Sequence, residues 1–458
     1  MEKKETWKFP RAFWIANTVE LFERAAYYGV FIVITLYLSR ILGFGDIEAA
    51  AIAGIFQAML YLLPTFAGAY ADKIGFRKSL LLAFTLLTIG YAGLGIFPGM
   101  FEAAGLVDYS GTTLFTGLES SAQKYTVIPV LALIVVGGSF IKSVITGTVA
   151  KETTKENRAR GYSIFYAMVN IGAFSGKTMV KPLREMMGNT GLIWINYFSA
   201  IMTLVALIIV FMMYTSHQHQ GEGKKLSEIW ESLIKVLTNV RLIVLILIIT
   251  GFWMVQHQMY ATMPKYVLRL AGEGASPSWY ANVNPLVVFT TVGLVTHFMR
   301  KRSALFSMSL GMFIMPVSAL FMASGNMMSH DIMGMHPVAF MMVVGIAFQG
   351  FAETFISPRF LEYFSLQAPK GEEGLYLGFS HLHSFLSSVF GFIMSGVLLE
   401  KYCPDPRLFS TREAWADAAS NAHYIWFYFV GISLISAVAL LIYGVVVRRV
   451  DRRRQVSQ

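Results

Sequence analysis

The sequence predicts an all-α polytopic membrane protein, on three observations. Hydrophobic residues make up 55% of the 458 and charged residues only 14%, against about 25% charged in an ordinary soluble domain. The apolar residues gather into stretches of about 20, the length that crosses a bilayer as a helix. The net charge of +10 resides mostly in the loops between those stretches, where a membrane orientation accounts for it. A nucleic-acid partner is therefore not expected. The single cysteine, Cys403, excludes an intramolecular disulfide and a cysteine-based metal cluster.

Twelve stretches are expected to span: 12–38, 48–71, 79–98, 126–150, 160–186, 191–214, 241–268, 279–299, 303–324, 334–365, 374–400 and 422–447. Met1 to Arg11 is polar and the first apolar stretch is long enough to span, so no cleavable signal peptide is expected. Six spans lie on each side of a polar link, which predicts an N-terminal six-helix bundle (1–214), a cytoplasmic linker (215–240) and a C-terminal six-helix bundle (241–458). An even number of spans puts both termini on one face. That face carries 24 of the 37 Lys and Arg residues, so both termini are expected in the cytoplasm of a cell-membrane protein. In the link, Leu226, Ile229, Trp230, Leu233 and Leu237 recur at helical spacing opposite Glu228, Glu231 and Lys235. That is the pattern of an amphipathic helix lying at the membrane surface.

The two halves echo one another. GAYADKIGFRKS (68–79) follows span two, and GLVTHFMRKRSA (293–304) follows span eight. Six plus six spans with such an echo resembles the major facilitator fold, whose halves rock about a midplane site. In the first copy Gly68, Asp72, Gly75, Arg77 and Lys78 look like that superfamily's loop between helices two and three, and the resemblance implies a conformational latch.

Ionisable residues inside spans carry the functional information, since each costs about 2.5–3.5 kcal/mol at mid-membrane even on a lenient scale. Span one holds Glu20, Glu23 and Arg24. With Tyr27, at offsets of 0, 3, 4 and 7, they share one helix face. They must face the bundle interior, as a structural ion-pair knot or as a site; two acids against one base leave a carboxylate able to carry a proton. Lys142 stands alone in span four and calls for an acidic partner, naturally a span-one carboxylate. Glu353 lies near the centre of span ten and suits a cationic group, whereas Arg359 and Glu362 fit a structural pair equally well. Asn170 and Lys177 share a face of span five. Trp253, Gln256, His257 and Tyr260 share one of span seven. Asn284 precedes Pro285 in span eight, where a kink or broken helix would free backbone groups. His381 and His383, two apart, diverge around a helix, so no metal site is expected there. No nucleophile elbow, P-loop or zincin pattern is present, and no enzyme is expected.

ELFERAAYYG in span one resembles the ExxERFxYYG signature of the proton-dependent oligopeptide transporter family. Glu20, Glu23, Arg24, Tyr27, Tyr28 and Gly29 match it, and Ala25 replaces the usual Phe. Tyr61, Lys142, FYAMVNIGAF with Asn170, FWMVQHQ, ANVNP and AETFISP with Glu353 fall where that family's further motifs belong. The resemblance spans nearly the whole chain. It implies a proton-coupled symporter importing di- and tripeptides by alternating access, without a cofactor beyond the coupling proton, acting in the lipid bilayer as a monomer. Glu20 and Glu23 would carry protons with Arg24 and Lys142 as electrostatic partners. Lys142 would meet the peptide carboxylate and Glu353 its amino group. Tyr27, Tyr28, Tyr61, Asn170 and Asn284 would hold the peptide backbone, and Trp253 and His257 would line the site.

Three departures bear on cargo. The family commonly has a second arginine two residues after YYG, where this chain has Phe31, and a glutamate where it has His257. Both changes remove members of one charged pair. The third is that bacterial relatives commonly insert two helices between the halves, for which this link has no room. These departures keep open a different small anionic or amino-acid-like substrate on the same fold, and a non-transporting receptor as a more distant alternative.

Overall fold

The computed structural model describes residues 8–109, 118–154, 157–215, 226–367 and 378–456. Part of the expected eleventh span (374–377) and residues 216–225 of the polar link lie outside these residues. Among the described residues the chain is helical, with one isolated bridge between Ile332 and Met335 and no strand. The all-α expectation holds.

In chain order the helices are α1 (Arg11–Phe31), α2 (Ile34–Arg40), α3 (Asp46–Leu62), α4 (Pro64–Ile74), α5 (Phe76–Ala103), α6 (Val127–Lys151), α7 (Arg158–Met187), α8 (Gly191–Met213), α9 (Leu226–Thr238), α10 (Val240–Gln256), α11 (Gln258–Ala261), α12 (Met263–Ala271), α13 (Pro277–Tyr280), α14 (Val283–Met299), α15 (Ala304–Ser324), α16 (Pro337–Ser365), α17 (Leu382–Tyr402), α18 (Arg412–Ala418) and α19 (Tyr424–Val456). Nine stretches among the described residues are long and apolar enough to cross a membrane, or up to eleven with two bent pairs. The longest of the nine, Arg160–Met213 at 54 residues, comprises both α7 and α8, joined by a short 3-10 turn.

Four expected spans are broken. The first bends by 45° between α1 and α2, at Ile32–Val33 in a β-branched run that helices accommodate poorly. The second bends by 48° between α3 and α4, because Pro64 removes a backbone donor and disfavours helix at Leu63. The seventh is interrupted at His257 and at Thr262, with Pro264 in the first turn of α12. Span eight carries the expected break just before Asn284, and Pro285 is not at it. It sits in the first turn of α14, where a missing N–H costs little, and the break precedes it at Ala281–Asn282.

The chain divides into two compact units: residues 1–45 with 59–229, and 46–58 with 230–458. In the first, α1 packs on α7 and α8, and α5 on α6 and α8. Helix α5 shows the logic: Leu80, Ala83, Phe84, Leu87, Tyr91 and Leu94 are buried on one face, while Leu82, Ile89 and Ile96 are exposed on the other. A helix apolar on both faces has lipid as its second solvent. In the second unit α15 packs on α16 and α19, α14 on α16, and α10 on α17 and α19.

The link helix forms at Leu226–Thr238, but its faces differ from the expected ones. Ile229 and Leu233 are buried together with Ser232 and Val236, whereas Trp230 and Leu237 are exposed beside Ile234.

Candidate functional site

Small residues let α7 lie flush on α1. A Cβ added at Gly172 would come within 2.8 Å of Arg24 Cβ and would strike the Leu21 carbonyl; at Gly176 it would strike the Ala25 carbonyl. Gly29 sits opposite, its own Cβ position 3.4 Å from the Gly176 oxygen. Close backbone approach through glycine is the usual device for packing helices in lipid. It places Lys177 of α7 beside Tyr28 of α1.

On that face Arg24 bonds both acids. Its Nε lies 3.2 Å from Glu20 Oε1, and its guanidinium pairs with Glu23. Glu20 and Glu23 are buried, and Glu20 Oε2 has no hydrogen-bond partner among the described residues. The expected one-faced triad is thus assembled. Lys142 is not ion-paired as expected: no described carboxylate lies within salt-bridge distance. Its ammonium lies 5.4 Å from the Tyr61 ring centroid, and its attraction to Glu20 acts at longer range. Position on α6 is the reason, since Ser143 donates to the Pro64 carbonyl (2.6 Å) and draws α6 towards the α3–α4 bend that carries Tyr61.

Tyrosines meet cations throughout this cluster. Arg24 lies 5.4 Å from the Tyr27 ring centroid, and Lys177 lies 5.2 Å from that of Tyr28. The Tyr27 and Tyr28 rings meet edge-on at 5.0 Å. Such contacts contribute about 0.5–2 kcal/mol each. Phe31, which stands in place of the family's second arginine, is 1% exposed and stacks on Tyr27 at 5.2 Å. The Asn170 amide donates to the Tyr166 carbonyl one turn back (2.8 Å).

The second unit holds a separate constellation. Glu353 Oε2 accepts from Gln256 (2.9 Å) and from Asn284 (3.4 Å). Gly350 permits this: a Cβ there would lie 2.9 Å from the Asn284 carbonyl, so α16 sits hard against the start of α14. His257 caps the broken end of α10, buried, with Nδ1 3.3 Å from Ser387 Oγ. Trp253 lies 5.8 Å from the His257 ring and stacks on His383 at 5.4 Å and 13°. His383 also meets the Phe360 ring edge-on at 4.9 Å and contacts Ser384 Oγ at 3.0 Å. Among the described residues no group of three or more metal-ligating side chains occurs.

Lys177, Gln256, His383 and Ser387 belong to these clusters but not to the residue set expected from sequence. The shared face of Asn170 and Lys177, and that of Trp253 and Gln256, were the available signals for two of them. His383 carried none, because only the approach of α17 to α10 gives it Trp253. Arg359 pairs with Glu362 (2.7 Å) and donates to the Met299 carbonyl, a structural tie between α16 and α14.

Of the residues expected to form a latch, Gly75 ends α4 and starts α5 at φ 92°, a conformation that favours glycine. Arg77 donates to the Phe211 carbonyl (2.7 Å) at the end of α8. Gly68 faces Ser143, 3.1 Å from where its Cβ would stand. Asp72 lies in the last turn of α4.

Residues 13–335 match the family profile described as Major Facilitator Superfamily. The dipeptide and tripeptide permease A of Serratia proteamaculans is 24% identical over 259 residues, 56% of this chain and 45% of that protein. The permease of the same name from Salmonella typhi is 27% identical over 269 residues, 57% of this chain and 47% of that protein. The matched region thus spans about half the length of these curated relatives. A solved structure concerned with substrate recognition in proton dependent oligopeptide transporters superposes with a TM-score of 0.70 at 17% identity, covering 95% of this chain and 99% of that one. A peptide transporter POT in complex with sulfate does so with a TM-score of 0.70 at 18% identity, covering 97% and 95%. The fold is shared with these transporters.

Proposed function

Because the chain belongs to the Major Facilitator Superfamily, we propose that it is a proton-coupled symporter importing di- and tripeptides by alternating access. The observation that carries this reading is the Glu20–Glu23–Arg24 triad, with both acids buried. One guanidinium neutralises two carboxylates, so protonating either acid loosens Arg24. The freed cation, with Lys142, then attracts an anionic group. Loss of the proton towards the cytoplasm re-forms the pairs and expels the cargo. In this scheme Arg24 switches, and Lys142, outside the ion pairs, is a standing attractor for the peptide carboxylate.

In the second unit Glu353 meets the peptide amino group, with Gln256 and Asn284 holding the carboxylate in place, and Trp253 and His257 form an apolar and polar wall. Tyr27, Tyr28, Tyr61 and Asn170 hydrogen-bond the peptide backbone. The proposal includes twelve spans, bundles at 1–214 and 241–458 joined by the linker 215–240, and both termini in the cytoplasm of the cell membrane. It also includes a latch at Gly68, Asp72, Gly75 and Arg77, action as a monomer, and no chemistry on the cargo.

One proton moved through 100 mV supplies about 2.3 kcal/mol, enough for roughly 50-fold accumulation. Purified protein in liposomes is expected to accumulate a labelled dipeptide only with an inward proton gradient; equal accumulation without one would sink the reading. Glu23→Gln is expected to abolish driven uptake while counterflow exchange continues, and undiminished driven uptake would remove Glu23 from coupling.

A second reading, a different small anionic substrate, is favoured by Phe31 and His257. Both are buried and engaged with neighbours, Phe31 with Tyr27 and His257 with Ser387. A panel of di- and tripeptides that fails to stabilise the purified protein thermally would select it.

A further inference from the structure

Helix α9 has three sides, and the transport reading uses none of them. Ser232, Leu233 and Val236 are buried, while Glu228, Glu231 and Lys235 are exposed on a polar side. The third side carries Trp230, Ile234 and Leu237 at offsets of 0, 4 and 7, all exposed. Water penalises such an apolar stripe, whereas the boundary between headgroups and acyl chains accepts it, and tryptophan favours that level. Val240 prolongs it at the start of α10, where Val244 and Leu247 on the same face are exposed as well. The stripe thus runs on into the apolar surface of a spanning helix, and Asn239, in extended backbone, turns the chain between the two. The end of α19 lies at the same level. Tyr443 donates to the Arg241 carbonyl (3.1 Å) and Arg241 pairs with Asp451, which ties the first turn of α10 to the last turns of α19. At 33 residues α19 is about 50 Å long, against about 30 Å of hydrocarbon. Its exposed side is apolar through Ile442, Val445 and Val446, then becomes cationic at Arg449 and Arg452. An outward face that changes from aliphatic to guanidinium marks where hydrocarbon ends and phosphate begins.

We propose that the Trp230–Ile234–Leu237 stripe and the Arg449–Arg452 end of α19 form one docking surface for a leaflet of anionic phospholipid. The stripe enters the acyl boundary, and the guanidiniums, whose forks match phosphate oxygens, meet the headgroups. All of this surface lies in the second unit. It goes beyond the transport reading and stands whether or not the cargo is a peptide. It keeps Trp230 and Leu237 of the side expected from sequence, with Ile234 in place of Ile229 and Leu233.

The test puts a photo-crosslinking amino acid, benzoylphenylalanine, at Ile234 or at Glu231 of the full chain, reconstituted in equimolar phosphatidylcholine and phosphatidylglycerol. Mass analysis after illumination is expected to find lipid adducts from position 234 and few from position 231. Phosphatidylglycerol should exceed phosphatidylcholine among them by about fivefold, the worth of one arginine near an anionic surface. Arg449→Gln combined with Arg452→Gln is expected to bring that ratio close to one while lipid adducts persist. Salt at about 0.5 M should do the same with both arginines present, by screening them, so the salt arm decides if the double variant fails to fold. Crosslinks from position 234 to another segment of the chain or to a second copy overturn the docking of α9, as does an adduct yield no higher than at position 231. A lipid ratio of one with both arginines in place overturns the selection of anionic headgroups, and so does an excess that survives high salt.

Discussion

Glycine 176 illustrates how much depends on single atoms here. Adding a methyl group drives it into the Ala25 carbonyl, and backbone cannot rotate away as a side chain can. Gly176→Ala is expected to lower stability by about 1–3 kcal/mol, the usual cost of overpacking, and to displace the neighbouring Lys177 from Tyr28. Thermal unfolding of the purified variant measures the first effect, and weaker proton-driven dipeptide uptake measures the second. At this scale the sequence was legible where residues were expensive. Glu20, Glu23 and Arg24 declared themselves because three charges in one span must pair. Lys142 was found for the same reason; its expected acidic partner, Glu20, acts on it from beyond salt-bridge distance, while Tyr61 is its near neighbour. His383 was illegible: an imidazole becomes part of a site only through the Trp253 ring of another helix.

Breaks in helices do comparable work one level up. The α3–α4 bend carries Tyr61 to Lys142, and the interruption of the seventh span sets His257 at a helix end facing Ser387. Pro64 made the first readable in principle; the break at His257 has no proline and no glycine to announce it. Below the latter, Asp46 at the start of α3 accepts from Lys265 (2.7 Å) and from Arg269 (2.7 and 2.8 Å) on α12. Arg269 continues to the Cys403 carbonyl (2.6 Å) and to Asp405 (3.5 Å). Asp46→Asn removes one partner from a buried set and is expected to destabilise by about 3–5 kcal/mol, with partial recovery when Lys265→Met is added. Melting curves of the single and double variants decide this. Burial works to raise the Asp405 carboxyl, but Arg407 and Arg269 outweigh it and hold it at about 2, against about 3.9 for an ordinary aspartate. Its folded value is the lower one, so its contribution is complete above about pH 4 and fades as pH falls towards 2.

Each unit presents apolar helix faces to its surroundings and buries a few of its charges, Glu20 and Glu23 in the first and Asp46, Lys265 and Arg269 in the second. Trp14 and Trp194 are exposed on spanning helices, whereas Trp426 is fully buried. Brominated lipids are therefore expected to quench a variant retaining Trp194 alone and to leave one retaining Trp426 alone nearly unaffected; the reverse order would contradict the packing described. The all-α polytopic class and its spans were legible because lipid imposes a simple rule on composition. The break at His257 and the burial of Ser232 and Val236 on α9 were not, because packing against neighbouring elements, not the local pattern, decides both.

Cys403 gives this molecule a practical use. The sole thiol of the chain is fully buried, and burial pushes it up to about 12, so maleimides and nitroxides at neutral pH find almost no thiolate to attack. The native chain is in effect already a cysteine-less background. Pairs of reporter cysteines can be introduced into it directly, and distances between spin labels or fluorophores followed through a transport cycle, without first replacing the residue beside Arg269.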